Sequence, residues 1–121
     1  MYSPEVLDHF EYPRNTGVVA AADAVVEINN PACGDILKLS LKLSGDRIEE
    51  IRFQAKGCVC SVACGSAITE LAAGKTATGA RKITRDELVA AVGGLPPASM
   101  HAAHLAMDAL AAALDQAGAK N

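Results

Sequence analysis

The stretch from Ile36 to Leu43 alternates apolar and polar side chains, and it constrains the fold more than any other part of the chain. Four leucines fall on one face of an extended strand and three polar residues on the other: Leu37, Leu39, Leu41 and Leu43 against Lys38, Ser40 and Lys42. This period of two predicts a strand with one buried face, which is typical of an antiparallel sheet with one solvated side.

Two further strands are predicted beside this one. The turn residues Ser44-Gly45-Asp46 lead into a returning strand from Arg47 to Gln54, and the β-branched run from Ala24 to Ile28 predicts a first strand. Ile48 is out of phase with the alternation of the returning strand, and one extra residue near Glu49 would restore the phase. We therefore expect a β-bulge there, within a three-stranded antiparallel meander.

Four helices are predicted from their start signals and from the spacing of apolar residues. Ser3 and Pro4 form a capped first turn, and Thr84 with Glu87 forms a capping box. In chain order, the predicted helices start at Ser3, run from Ser61 to Ala73, run from Thr84 to Val92 and start near Ser99. Together these elements predict an α+β fold, a three-stranded antiparallel sheet with helices packed on one face, in a single domain spanning residues 1–121.

The composition excludes several classes of function. A chain of 121 residues, 50% of them hydrophobic, is long enough for one real core. A net charge of −3 argues against nucleic-acid binding, which needs a basic face. No apolar run approaches the roughly 18 residues of a membrane span, and the first residues lack a signal-peptide pattern. We therefore expect a cytoplasmic protein whose cysteines are metal ligands or reactive thiols rather than disulfides.

Two cysteine-containing loops carry most of the chemistry. Cys33 lies between Asn30-Pro31-Ala32 and Gly34, so its thiol and the carboxylate of Asp35 could reach one point; a buried loop cysteine beside a turn-forming aspartate is the alternative. Cys58 follows Gly57 at the start of a helix, where the helix dipole and unpaired backbone N–H groups attract anions. That position suits metal binding or sulfur acceptance, and a cysteine packed in the core is its alternative.

The remaining cysteines and histidines have less support. Cys60 and Cys64 lie four residues apart on one helix face among small residues, so core packing and a spare-thiol role are both open. His101 heads the last helix and could meet the two loops, whereas His104 falls near the apolar stripe of that helix. His9 has no supporting context and is predicted to lie on the surface. Soft sulfur, imidazole and carboxylate together are the ligands of zinc and iron–sulfur sites.

Segments spread over nearly the whole chain follow one another in a recognisable order. They are Tyr2-Ser3 with Val6 and Asp8-His9-Phe10, Tyr12-Pro13-Arg14-Asn15 with Gly17, Asn30-Pro31-Ala32-Cys33-Gly34-Asp35, Gly57-Cys58, Ser66-Ala67 with Thr69-Glu70, Gly74-Lys75, Leu95-Pro96-Pro97 and the run from His101 to Ala109. In this order and spacing they resemble the IscU/NifU-type scaffold proteins of iron–sulfur cluster assembly. The resemblance implies an IscU/NifU N-terminal-like fold and a non-catalytic scaffold that binds iron or a [2Fe–2S] cluster and passes it to apo-proteins. Zinc is a second metal that the isolated protein could hold.

The resemblance also implies a site at one end of the sheet, held by Cys33, Asp35, Cys58 and His101. The family has a cysteine directly after this histidine, and it is usually regarded as the sulfur acceptor; this chain has Ala102 there. His101 could serve in place of the lost thiolate. Alternatively, Cys60 or Cys64 could supply a third sulfur, with Cys60 nearer the helix start. His104 is one further candidate ligand.

The same resemblance implies partners, namely a cysteine desulfurase that supplies sulfur and apo iron–sulfur proteins that receive the cluster. Family members dock an Hsp70-type chaperone through Leu-Pro-Pro-Val-Lys, whereas this chain reads Leu95-Pro96-Pro97-Ala98-Ser99. The chaperone is therefore left open, as is a homo-oligomer, and neither nucleic acid nor a membrane is expected as a partner.

Two alternatives to the scaffold stay open. One is a mononuclear zinc or iron module that regulates a desulfurase. The other is a sulfur-relay protein that carries a persulfide on Cys58, Cys60 or Cys64. Enzymatic turnover is not expected, because no base is visibly paired with a nucleophile.

Overall fold

The order of helices and strands follows the sequence pattern closely. The structure is a computed structural model and describes residues 2–30 and 34–118. Its elements are α1 (Pro4–Glu11), β1 (Ala24–Asn30), β2 (Asp35–Ser44), β3 (Arg47–Lys56), α2 (Val59–Ala72), α3 (Ala77–Arg81), α4 (Arg85–Ala91), a 3₁₀ turn (Pro97–Ser99) and α5 (Met100–Gln116). In the described part of the chain, no helix combines the length and the apolar character needed to cross a membrane.

The three strands form one antiparallel sheet in the order β1-β2-β3. Leu39 in the middle strand pairs with Val26 on one side and with Phe53 on the other. The pairing of β2 with β3 shifts between Lys42 and Leu43, opposite Glu49. The predicted bulge is therefore confirmed, and its physical effect is that the core-facing side of β3 changes phase at this point.

One face of the sheet is buried under α2 and α5. The inward leucines of β2 are Leu37, Leu39 and Leu41, each at most 1% exposed. Helix α2 approaches the sheet so closely that a Cβ at Gly65 would lie 2.7 Å from a ring carbon of Phe53. A larger residue at position 65 would push α2 away from the sheet, so this glycine sets the distance between the two layers.

Two helix assignments differ from the prediction. Helix α2 begins at Val59 rather than Ser61, because Cys58 takes the N-cap position, although its side chain makes no capping hydrogen bond. The sequence pattern does not predict α3, which Thr76 caps by accepting a hydrogen bond from the N–H of Gly79. This helix has only five residues and includes a glycine, so it shows no apolar period from which to infer it.

The other helix starts agree with the prediction. The Ser3 side chain caps α1, and Thr84 and Glu87 form the complete capping box of α4. The 3₁₀ turn ends at Ser99, and α5 begins at the next residue. Local hydrogen bonding by short polar side chains is therefore enough to fix the starts of α1 and α4, whereas the side chain of Ser99 makes no capping hydrogen bond at the start of α5.

The prediction that His9 lies on the surface is wrong. Its side chain is buried at 6% exposure, and its Nδ1 lies 2.8 Å from the hydroxyl of Ser66 on α2. The same hydroxyl accepts a hydrogen bond from the backbone N–H of Arg14 at 2.9 Å, and Nε2 of His9 lies 3.6 Å from the carboxylate of Glu70. Burial, with the charge of Arg14 as a second cause, lowers the pKa of His9. These contacts hold α1 and the segment after it against α2.

Candidate metal centre

Three segments of the chain meet at one end of the sheet. Asp35 is the first residue of β2, Cys58 is the N-cap of α2, and His101 lies in the first turn of α5. One ligand atom from each of the three side chains lies within 4.8 Å of the others. Cys33, the fourth predicted ligand, lies outside the described residues.

Asp35 is the centre of this group and is 2% exposed. Its Oδ1 accepts a hydrogen bond from the backbone N–H of Cys58 at 3.2 Å, and its Oδ2 accepts one from the hydroxyl of Ser61 at 2.6 Å. Nε2 of His101 lies 3.1 Å from the same Oδ2. Burial alone would raise the pKa of Asp35, but these hydrogen bonds outweigh it and hold the pKa below its usual value. The site therefore contains a buried carboxylate that is kept ionised.

Gly57 makes room for this carboxylate. Its φ is +147°, a conformation that side-chain-bearing residues rarely adopt, and a Cβ built there would lie 2.1 Å from Oδ1 of Asp35. The strand therefore ends, and the helix begins, around a residue that has no side chain. This close approach lets the N–H of Cys58 reach the carboxylate.

The thiol of Cys58 is half-buried and lies among the other polar atoms of the site. Its Sγ is 3.3 Å from the hydroxyl of Ser61, 3.7 Å from Oδ2 of Asp35 and 4.0 Å from Nε2 of His101. Partial exposure leaves the sulfur open to an incoming ion or partner. This position at a helix start agrees with the one expected from Gly57-Cys58.

His101 presents one nitrogen to the site because the other is held from outside. Its Nδ1 lies 3.1 Å from the carbonyl oxygen of Ala98 in the 3₁₀ turn. Nε2 faces Oδ2 of Asp35, and because an ionised carboxylate only accepts hydrogen bonds, this nitrogen donates to it. Nε2 would offer its lone pair to a metal once that proton leaves. A backbone carbonyl behind a histidine is the usual arrangement at a metal site.

The other candidate ligands are not part of this group in the described part of the chain. Cys60 and Cys64 are fully buried, and burial raises the pKa of both thiols, to about 12 for Cys64. Both are therefore held as thiols, which suits core packing. His104 is exposed, and its Nε2 lies 3.4 Å from the guanidinium of Arg85. Ala102, which stands where the resembling family has a cysteine, is 1% exposed.

Sequence reasoning missed Ser61 as a residue of the site. It lies on the first turn of α2, three residues after Cys58, and its hydroxyl touches both Asp35 and Cys58. Its spacing from Cys58 is the available signal, because residues three apart on a helix are neighbours. That signal alone does not reveal the contact with Asp35, which is 26 residues away.

The chemistry of the three side chains fits a transition metal. Thiolate sulfur, imidazole nitrogen and carboxylate oxygen form the donor set that binds zinc and iron in proteins. The group draws on three separate elements, and Asp35 already contacts the other two residues through the N–H of Cys58 and Nε2 of His101. Its donors are therefore close to the positions needed to bind an ion.

Comparison with known proteins identifies relatives along the whole chain. A family model described as NifU-like N terminal domain matches residues 1–121. The chain is 48% identical to the iron-sulfur cluster assembly scaffold protein IscU 1 of Archaeoglobus fulgidus over 114 residues, 94% of this chain and 74% of that protein. It is 38% identical to the iron-sulfur cluster assembly scaffold protein IscU of Aquifex aeolicus over 115 residues, 93% of this chain and 73% of that protein.

Solved structures share the fold. A putative iron-sulfur cluster assembly scaffold protein for the SUF system from Fervidobacterium islandicum gives a TM-score of 0.79 at 22% identity, covering 93% of this chain and 96% of that one. The N-terminal part of a NifU-like protein from Brucella abortus gives 0.78 at 20% identity, covering 98% and 95%. These likenesses confirm the predicted α+β fold, and the relatives confirm the resemblance found in the sequence.

Proposed function

The chain belongs to the family of NifU-like N-terminal domains, and from this membership we propose that it is an iron–sulfur cluster assembly scaffold. Relatives that are 38% and 48% identical to it are named for that role. A scaffold holds a cluster on its own side chains and then releases it. Its work is binding and transfer rather than turnover, so the chain is not an enzyme.

The observation that carries the proposal is the group of Asp35, Cys58 and His101, with ligand atoms within 4.8 Å of one another. We assign these three residues and Cys33 as the ligands of the cargo, which is iron or a [2Fe–2S] cluster. Thiolates and imidazole are established ligands of such clusters. The carboxylate of Asp35 is a harder donor and suits cluster iron less well. A cluster held partly by this oxygen would be labile, which suits a protein that must give it away.

The proposal includes partners with matching chemistry. A cysteine desulfurase would supply the sulfur, and apo iron–sulfur proteins would receive the cluster, in the cytoplasm. We propose one scaffold domain over residues 1–121, and zinc as a metal that the isolated protein could carry. An Hsp70-type chaperone is not part of the proposal, because Ser99 stands where the docking sequence has lysine.

A second candidate is a mononuclear zinc or iron module that regulates a desulfurase. Ala102 favours it, because a site with one thiolate fewer is less suited to the several irons and sulfides of a cluster. A persulfide relay would have to use Cys58 among the described cysteines, since burial holds Cys60 and Cys64 in the less nucleophilic thiol form.

Anaerobic reconstitution with ferrous iron and sulfide distinguishes the scaffold from the mononuclear module. The scaffold predicts sulfide-to-iron charge-transfer absorption in the visible range and near-equal amounts of bound iron and sulfide. A colourless protein that takes up one metal ion per chain would favour the module and contradict the scaffold.

The role of Asp35 is tested by replacing it with alanine. We expect Asp35→Ala to slow the loss of a reconstituted cluster to a chelator, because the replaced oxygen is the least suitable ligand of the set. Asp108→Ala is the matched control, since Asp108 is exposed and is not one of the three grouped residues. Equal decay of the clusters on the Asp35 variant and on the wild type would contradict this role.

A further inference from the structure

Ser61 makes two contacts inside the metal centre and is 1% exposed. Its Oγ lies 2.6 Å from Oδ2 of Asp35 and 3.3 Å from Sγ of Cys58. We propose that Ser61 is a positioning residue of the metal centre, which sets the orientation of Asp35 and Cys58 and thereby the affinity for the metal. This inference rests on the proposed function of the same site.

The contact with Asp35 has a fixed direction. An ionised carboxylate can only accept a hydrogen bond, so the hydroxyl of Ser61 donates to Oδ2. The lone pairs of the same hydroxyl remain for the thiol of Cys58. The side chain of Ser61 on α2 therefore contacts both the carboxylate of Asp35 and the sulfur of Cys58, and these contacts restrict the rotation of both side chains.

The hydroxyl becomes more important once a metal binds. In the structure, Oδ2 of Asp35 has both the hydroxyl of Ser61 and Nε2 of His101 as neighbours. A metal held by Asp35 and His101 would replace the proton on Nε2, so this nitrogen would no longer donate to the carboxylate. Two contacts then remain to orient Asp35, the backbone N–H of Cys58 and the hydroxyl of Ser61. Of these two, only the hydroxyl depends on the choice of side chain.

A purely structural serine would behave differently. Ser61 occupies the third position of α2, where it is not the N-cap of the helix. Within the described residues, the hydroxyl of Ser61 contacts two side chains of the metal centre, those of Asp35 and Cys58. Ser66 provides the matched comparison, because it is equally buried on the same helix but bonds to His9 and Arg14 instead. Removing either hydroxyl should lower the stability of the fold, but only removal of the Ser61 hydroxyl should weaken metal binding.

The test is an anaerobic Co²⁺ titration of the wild type, Ser61→Ala and Ser66→Ala, followed by the thiolate-to-cobalt charge-transfer and d–d absorption bands. Loss of a residue that orients a metal ligand typically weakens binding about 10- to 100-fold, and we expect at least about a 10-fold loss for Ser61→Ala. Its d–d bands should shift, because the ligand geometry changes. Ser66→Ala should keep the affinity and the spectrum of the wild type, whatever its melting temperature.

A double variant separates positioning from general loosening of the fold. If Ser61 acts mainly by orienting Asp35, adding Ser61→Ala to Asp35→Ala should weaken Co²⁺ binding by less than about 3-fold, because coupled changes are not additive. An unchanged affinity and spectrum for Ser61→Ala would overturn the inference. The inference would also be overturned if Ser61→Ala weakened Co²⁺ binding by the same factor in the Asp35→Ala background as in the wild type. An equal loss of Co²⁺ affinity in Ser66→Ala would overturn it too.

The Co²⁺ readout also keeps this inference apart from the proposed function. A wild type that binds Co²⁺ through these residues but assembles no cluster would contradict the scaffold and leave the role of Ser61 intact. A wild type that assembles a cluster, with Co²⁺ binding unaffected by Ser61→Ala, would contradict only the role of Ser61. A wild type that takes up neither Co²⁺ nor a cluster would overturn both.

Discussion

Replacing Gly57 by alanine should damage the fold and the metal centre together. The residue has a φ of +147°, and an added Cβ would lie 2.1 Å from Oδ1 and 2.7 Å from Cγ of Asp35. Both contacts are far inside the van der Waals distance, so the carboxylate would have to move. The N–H of Cys58 donates to that same Oδ1 and would lose its partner.

The size of the effect follows from two contributions. A non-glycine residue held in a sparsely populated backbone region costs about 1–3 kcal/mol. A lost hydrogen bond to a charged group costs about 1.5–3 kcal/mol, and Asp35 is buried enough for this value to apply. Gly57→Ala should therefore lower the free energy of unfolding by about 2.5–6 kcal/mol, a large part of the 5–15 kcal/mol of an ordinary domain.

Gly45→Ala is the matched control for the backbone contribution. Gly45 also has a positive φ, +65°, but a Cβ there would meet nothing within 4 Å. A left-handed alanine costs about 1–2 kcal/mol, so this variant should lose that amount and bind metal normally.

Urea denaturation gives the two stabilities, and anaerobic Co²⁺ titration gives the two affinities. We expect the Co²⁺ affinity of Gly57→Ala to fall by at least about 10-fold, because a ligand and its orienting hydrogen bond are both displaced. The reasoning is refuted if Gly57→Ala is no less stable than Gly45→Ala and binds Co²⁺ as well. If Gly57→Ala does not fold at all, the loss exceeds the free energy of unfolding of the wild type, and this outcome contradicts the predicted magnitude when that free energy is above about 6 kcal/mol.

Three further predictions concern single residues. Because folding lowers the pKa of His9, this histidine binds a proton more tightly in the unfolded chain than in the folded protein. The urea midpoint should therefore be constant above about pH 6.5 and fall as the pH drops below that value. His9→Gln should flatten this pH dependence. Iodoacetamide should modify Cys58 in the native protein well before Cys60 or Cys64, because burial raises the pKa of the latter two thiols. Peptide mass spectrometry measures the labelling of each cysteine with and without urea. Equal labelling of the three cysteines in the native protein would contradict this prediction. Ala102→Cys should slow the loss of a reconstituted cluster to a chelator, because it adds a thiolate. Ala102 is 1% exposed, so the larger side chain should also lower the free energy of unfolding in urea by about 1–3 kcal/mol. Unchanged cluster decay would contradict the added-thiolate prediction.

The sheet could be predicted from sequence because its signals are local. The alternation around Leu39 fixes which face of β2 is buried, and the phase break at Ile48 is enough to locate the bulge at Glu49. The starts of α1 and α4 are set by side chains within three residues of the cap. In each case the atoms that interact are close together along the chain, so the pattern contains the information.

The errors concern polar contacts between distant parts of the chain. His9 and Ser66 are 57 residues apart, and Ser61 and Asp35 are 26 apart, so nothing near either residue indicates its partner. A histidine on an amphipathic helix is compatible with exposure until the packing of α1 on α2 is known. The residue types of the site are visible in the sequence, whereas the hydrogen bonds that orient them follow from tertiary structure.

These hydrogen bonds explain how the proposed site for a transferable metal would coexist with a stable fold. A buried carboxylate without partners would be costly, and a protein that relied on metal to pair it would lose stability on each release. Asp35 instead has Cys58, Ser61 and His101 as partners within the protein itself. Binding of the proposed cargo would exchange the contact with His101 for a metal, while the contacts with Cys58 and Ser61 would persist. The carboxylate thus joins β2, α2 and α5 through the protein's own atoms, and release of the proposed cargo would return it to this hydrogen-bonded arrangement.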